Sequence, residues 1–365
     1  MLIAFVVLLA FIFFVWLFMR QKQFGKLPSG KRLERIRSSP QYKNGAFQNI
    51  HYTPQLTEGE SMPGLLVKFL FSSRGKKKPQ QVLPSIKTDL KNLPADKNIL
   101  VWFGHSSYFM QLDGKKILVD PVMSGSASPL PGGTRAFKGT DIYTTDDIPP
   151  IDYLFITHDH WDHLDYKTVT ALQPKIKAVI CPLGVGEHLE YWGFDSAIIH
   201  ENDWGDVISL PDGFTVTLTP GRHFAGRTLK RNSSLWTSYV LRSPSKNIFI
   251  GGDSGYDTHF AEIGKKFGPF DWAILENGQY DQSWRYIHLL PEEFVIAAKE
   301  INAKNILPLH SSKFLLGNHV WNEPLIRLME NNKTAGLPVA TPQIGEAVDL
   351  DATGQAFGQW WQEIR

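Results

Sequence analysis

The sequence predicts an α/β fold of two sheets with helices outside, entered through a membrane-spanning helix. Three observations carry that prediction. Residues 1–19 are uncharged and apolar, and short β-type runs alternate with helical stretches from about Asn98 onward. The nine residues Thr157-His158-Asp159-His160-Trp161-Asp162-His163-Leu164-Asp165 then place three histidines and three carboxylates directly after an apolar run.

The first segment is dominated by Leu, Ile, Val and Phe, and about 20 such residues span a bilayer as a helix. A cleaved signal peptide would need a basic start and a small-x-small cleavage site, and neither is present. Arg20, Lys22, Lys26, Lys31, Arg32, Arg35 and Arg37 follow at once, so the positive-inside rule puts the body of the protein on the cytoplasmic face of the cell membrane. Residues 20–60 are polar and basic and read as a linker or a surface-hugging arm. The apolar burst 65–71, followed by Arg74, Lys76, Lys77 and Lys78, is either a short helix beside a solvated loop or a second membrane contact. The resulting division is an anchor over 1–19, a basic linker and arm over 20–95, a catalytic domain over 96–350 and a tail over 351–365.

With 365 residues, 42% of them hydrophobic, the chain can bury a sizeable core. Its net charge of +2 offers no electrostatic case for nucleic acid. The one cysteine, Cys181, ends an apolar run and excludes both a disulfide framework and a thiolate metal site. Strands are expected at 99–103, 108–112, 116–119, 151–156, 178–181, 214–218, 237–241, 247–250, 272–275 and 305–307. Helices are expected at 165–172, 184–192, 258–267, 291–301 and 323–331. This alternation fits two sheets with outer helices better than one parallel sheet.

Buried imidazole and carboxylate are costly unless paired or bound to metal, so a strand that ends in this cluster points to a metal site. On extended chain His158 and His160 face the same way and can grip one ion. Asp162 and His163 follow in a tight turn, aimed at a second ion. Asp165 is placed to cap the helix that follows, or to support the ligands from behind. His223, Asp253 and His310 each follow a predicted strand as well. Together they supply one more ligand per ion and a carboxylate able to bridge both, closing a dinuclear site.

The order HxHxDH, His, Gly-Asp, His resembles the metallo-β-lactamase superfamily. Further segments resemble its N-acyl-phosphatidylethanolamine-hydrolysing phospholipase D branch: Lys43-Asn44-Gly45, Trp102-Phe103-Gly104-His105-Ser106, Ala127-Ser128-Pro129, Pro149-Pro150-Ile151-Asp152, the stretch from Arg227-Thr228 to Leu235-Trp236, and Tyr286-Ile287-His288-Leu289-Leu290-Pro291-Glu292-Glu293. The resemblance implies a four-layer αββα sandwich holding two divalent ions, Zn2+ by ligand type, with Mn2+ or Fe2+ as alternatives. His158, His160 and His223 would hold one ion, Asp162, His163 and His310 the other, and Asp253 would bridge them.

Asp162 and Asp253 are thereby implied in catalysis as well as ligation. His288 is either a surface histidine before a helix or a group that orients the phosphate or protonates the leaving alkoxide. His105 reads as support behind the ligands, and His51, His188, His200, His259 and His319 as structural. The implied activity is phospholipase D-type hydrolysis of N-acyl-phosphatidylethanolamine or a related phospholipid, with a membrane phospholipid and the bilayer as partners. A homodimer is left open. The alternatives are a hydrolase of a soluble lactone, sugar-phosphate or other small ester, and a non-catalytic metal-binding membrane regulator. The apolar anchor departs from the peripheral animal enzymes of the branch.

Overall fold

The computed structural model describes residues 2–71, 77–130, 132–352 and 354–364; Arg74 and Lys76 of the basic stretch lie outside them. Helix α1 (Leu2–Met19) is long and apolar enough to cross a membrane, and none of its residues is buried. At 1.5 Å per residue it is roughly 27 Å long, close to the roughly 30 Å of a hydrocarbon core. The Arg20 guanidinium lies 4.7 Å from the Trp16 ring at its foot.

The stretch expected as a linker or arm is docked. Helix α2 (Gly30–Ser38) and the hairpin β1 (Tyr42–Lys43) and β2 (Ala46–Phe47) bury Ile36 and Phe47 against Leu183, Leu235 and Trp236. Arg32 of α2 donates to Glu187, Glu190 and Glu201 at 2.9, 2.6 and 2.7 Å. Those carboxylates keep its guanidinium charged against the burial that opposes it. Polar composition hid this element because its anchor is one isoleucine and an ion cluster, not an apolar stripe. The apolar burst is helix α3 (Met62–Phe71), which buries Leu65 and leaves Met62 and Val67 exposed.

The domain's first half supplies β3 (Ile99–Trp102), β4 (Tyr108–Leu112), β5 (Lys115–Val119), β6 (Ile151–Phe155), α4 (Tyr166–Leu172), β7 (Ile176–Pro182), α5 (Val185–Tyr191) and β8 (Ile199–Asn202). The second half supplies β9 (Val207–Ser209), β10 (Thr215–Thr219), β11 (Ser238–Arg242), β12 (Asn247–Ile250), α6 (His259–Phe267), β13 (Trp272–Glu276), α7 (Pro291–Glu300), β14 (Ile306–Leu309) and α8 (Glu323–Ala335). Strand β15 (Ala347–Asp349) returns to the first sheet. The orders are β15-β3-β4-β5-β6-β7-β8 and β14-β13-β12-β11-β10-β9. In each sheet hairpin-linked strands pair antiparallel. Strands linked through helices pair parallel, as a crossover requires.

Side-chain alternation builds the layers. Leu100, Trp102, Met110, Val119 and Phe155 of the first sheet meet Leu218, Tyr239, Ile250 and Ile274 of the second in one core. The opposite faces are covered too. Val101, Phe109, Leu154 and Val179 pack on Val169 of α4 and Leu189 of α5, while Phe249, Ala273 and Leu275 pack on Phe260 of α6, Phe294 of α7 and Leu328 of α8. The order helix, sheet, sheet, helix is the four-layer αββα sandwich. Each predicted run falls on an observed element; β8, β9 and β15, only three or four residues each, are too short to show as apolar runs.

Candidate metal centre

The ligand candidates sit where strands of both sheets end. His158, His160, Asp162 and His163 follow β6, His223 follows β10, Asp253 follows β12 and His310 follows β14. Donor atoms of His158, His160, His223 and Asp253 lie within 4.8 Å of one another, as do those of His105, Asp162, His163 and His310. In the first group His158 Nε2 and His223 Nε2 lie 2.9 and 3.2 Å from His160 Nδ1. In the second, His163 Nε2 lies 3.6 Å from Asp162 Oδ2.

Asp253 reaches both groups. Its Oδ2 is 3.2 Å from His163 Nε2 and 3.6 Å from His223 Nε2, and its Oδ1 is 3.1 Å from His310 Nδ1. The two glycines before it are required for close approach rather than for a turn. A Cβ on Gly251 would sit 2.5 Å from the Ile274 carbonyl oxygen, and one on Gly252 would sit 2.7 Å from that of Thr237. His105 and His310 hold positive φ, at 55° and 61°, and pair their loops through a His310 N–H to His105 carbonyl bond of 3.0 Å. Such backbone strain persists where the surroundings enforce it.

The donor set fits divalent metal. His163 Nε2 and Asp253 Oδ1 are buried without a hydrogen-bond partner among the described residues. Burial, reinforced by neighbouring histidines, holds His158, His223 and His310 well below the usual imidazole range, in the neutral form that ligates. Burial opposes ionisation of Asp162, yet His163 and His105 hold its carboxyl well below the usual range. Burial pushes Asp253 up to about 6 against the pull of His163. Against its own burial, His163 is held well above its ordinary value by Asp253, Asp162 and Asp120. Without metal, a proton on His163 meets a demand for positive charge that divalent ions would meet at the same place.

Sequence reasoning missed the residues that orient these ligands. Asp120, just after β5, accepts from the Thr157 N–H at 2.8 Å and from its hydroxyl at 2.6 Å, and its Oδ2 lies 2.8 Å from His163 Nδ1. Glu276, the last residue of β13, accepts from the Leu289 N–H at 2.6 Å and lies 2.8 Å from His288 Nδ1. Both are acids that end apolar strands, the same signal that exposed His158. His105 Nε2 lies 2.8 Å from Asp162 Oδ2. Asp165 caps α4, accepting from the Lys167 N–H at 3.2 Å.

His288 is no surface histidine. It is buried, with its ring stacked 5.1 Å from that of His310. It lines a cavity of about 280 Å³ together with His160, Asp162, His223, Asp253 and His310. Leu56, Met62, Leu65, Phe224, Trp284, Ile287 and Leu316 form the apolar wall, and Arg231 is the cation in the lining. Helix α3 thus contributes directly to the mouth of the site.

The comparisons with known proteins agree with this geometry. The sequence matches the beta-lactamase superfamily domain over residues 115–311. It is 35% identical over 330 residues to an uncharacterized protein of Mycobacterium tuberculosis, covering 89% of this chain and 88% of that one. It is 30% identical over 284 residues to N-acyl-phosphatidylethanolamine-hydrolyzing phospholipase D 1 of Caenorhabditis elegans, covering 67% of this chain and 78% of the relative. The fold is similar to that of Igni18, a metallo hydrolase from Ignicoccus hospitalis, with a TM-score of 0.54 at 20% identity over 69% of this chain and 97% of that structure. With the fold, the buried His/Asp clusters and these relatives in agreement, the chain belongs to the metallo-β-lactamase superfamily of metal-dependent hydrolases, in the branch of the N-acyl-phosphatidylethanolamine-hydrolysing phospholipase D proteins.

Proposed function

We propose that this protein is a membrane-anchored, dinuclear metal-dependent phosphodiesterase that hydrolyses N-acyl-phosphatidylethanolamine or a related phospholipid with a phospholipase D outcome. The observation that carries the reading is Asp253 in the lining of an apolar-walled cavity, with Oδ2 reaching His223 of one histidine cluster and Oδ1 reaching His310 of the other. His158, His160 and His223 would hold one ion, Asp162, His163 and His310 the other, with Asp253 between them. Their His/Asp chemistry suits Zn2+. When bound, the ions supply Lewis acidity toward phosphoryl oxygens and a nucleophilic water at neutral pH.

The chain's own residues do the rest. The apolar wall receives acyl chain and excludes water. Arg231, held by a 2.7 Å bond to Gln55 and lying 5.0 Å from the Phe224 ring, offers a fixed cation at the cavity. Glu276 fixes the His288 ring through Nδ1, so that Nε2 can orient the phosphate or deliver a proton to the departing alkoxide. Helix α1 would hold this site at the bilayer, where a lipid substrate is concentrated.

The test is release of N-acylethanolamine from labelled vesicles by the wild type and by His160→Ala and Asp253→Asn. Loss of turnover in both supports the reading; unchanged turnover in both overturns it.

A further inference from the structure

A second cavity, of about 580 Å³, opens beside the foot of α1. None of the proposed metal ligands lines it. Phe18 and Gln21 come from the helix end, Ser124 and Ser126 from the loop after β5, Arg135 from farther along that loop, and Lys167 from α4. Covalent continuity fixes the depth of this cavity. Phe18 stands in the last turn of the apolar helix, so a helix that spans the bilayer brings the cavity to the level of the lipid headgroups.

The lining suits a phosphate ester. Arg135 and Lys167 are exposed, and neither is ion-paired among the described residues. The Ser124 and Ser126 hydroxyls are engaged only by long contacts of 3.5 Å to backbone carbonyls, so both can turn to donate to phosphoryl oxygens. The acidic group in the wall, Asp165, is committed elsewhere. Its oxygens accept from the Lys167 N–H at 3.2 Å and the Ser124 N–H at 3.0 Å. Trp161 completes the lining, braced by Phe24 at 5.1 Å and by the Arg227 guanidinium at 4.0 Å. Its apolar face, with Phe18, matches the glycerol and first methylenes below a headgroup.

We infer that this cavity binds the phosphate headgroup of an anionic phospholipid, at a site separate from the metal centre. The inference rests on the membrane-anchored part of the proposed function. Because Trp161 stands between His160 and Asp162 in the chain, an occupied cavity would touch the loop that carries four of the proposed ligands.

The test uses the full chain in bilayer discs of phosphatidylcholine containing a minor fraction of phosphatidic acid, with retained lipid counted by native mass spectrometry. Wild type should retain phosphatidic acid preferentially. Arg135→Ser/Lys167→Ser should bind it roughly 30-fold more weakly, from two lost headgroup cations, while Lys299→Ser/Lys333→Ser on the outer helices should match wild type. Equal retention by the first variant, or equal loss by the second, overturns the site. So does full displacement of the lipid by millimolar glycerol phosphate, which would make the ligand a free phosphate. Flotation of wild type with pure phosphatidylcholine vesicles tests the anchor by itself. Protein that fails to float refutes the anchor and the site with it; protein that floats without enriching phosphatidic acid refutes the site alone.

Discussion

Asp120 Oδ2 lies 2.8 Å from His163 Nδ1, and both side chains are almost wholly buried. The contact fixes the ring so that Nε2 faces Asp253. A carboxylate behind a ligating histidine sets its tautomer and raises its basicity, and losing one typically costs 10- to 100-fold in metal affinity or activity. Asp120→Asn should therefore weaken metal binding by roughly 10-fold or more, measured by competition with a chromogenic chelator. Equal affinity would remove Asp120 from the metal centre.

His288 should matter to the chemistry without holding metal. His288→Asn is expected to lower kcat by roughly 100-fold, the low end for a lost acid–base group, at full metal content by elemental analysis. Glu276→Gln should give a smaller fall in kcat with KM nearly unchanged, because it acts through the orientation of His288. Metal loss in His288→Asn would make His288 a ligand instead.

Arg32 ties the arm to the domain. Its side chain is 16% exposed, and its partners Glu187 and Glu201 are 8% and 7% exposed. Removing one partner of such a set strands buried charge, so Arg32→Ala should cost about 3 kcal/mol. Limited proteolysis should then cut within residues 20–60 at protease levels that leave the wild type intact.

Acid should destabilise the fold through His259. Burial holds this imidazole down at about 4, beside the Ser254 hydroxyl at 3.0 Å. The unfolded chain takes up that proton near 6.5, so between these values it binds more protons than the folded chain and stability falls as pH falls. From a folded value of about 4, the loss at pH 5 is about 2 kcal/mol. His259→Gln should shrink the drop in Tm between pH 7 and pH 5. An unchanged drop would assign acid sensitivity to other groups.

The fold was legible wherever a strand or helix carries an apolar run. Val179 and Leu275 announce their elements through burial on both faces of a sheet, whereas the pair Arg32 and Ile36 hides an element whose stability is ionic and long-range. The five histidines and two aspartates proposed as ligands were legible as a set, because imidazole and carboxylate clustered at strand ends are costly without a metal and their order resembles the metallo-β-lactamase pattern. Asp120 and Glu276 carry the same cost, but a lone acid at a strand end looks like a turn until the histidine behind it is in place. The walls of the two cavities were not legible. Met62, Phe224 and Leu316 come from distant parts of the chain, and only the packing of α3 against the loops brings them to one opening.

The supply of ligands by two sheets has a mechanical consequence. Each proposed triad takes two side chains from the end of β6 and one from the facing sheet: His223 after β10 for one, His310 after β14 for the other. An ion in either triad is then a rivet through the seam of the sandwich. With both proposed triads filled, neither sheet could part from its neighbour at that rim without surrendering the ions, and neither ion could be fully coordinated before the sheets had docked. Metal supply would thus govern how firmly the halves stay together, and an enzyme starved of metal would loosen first at the edge where its substrate enters.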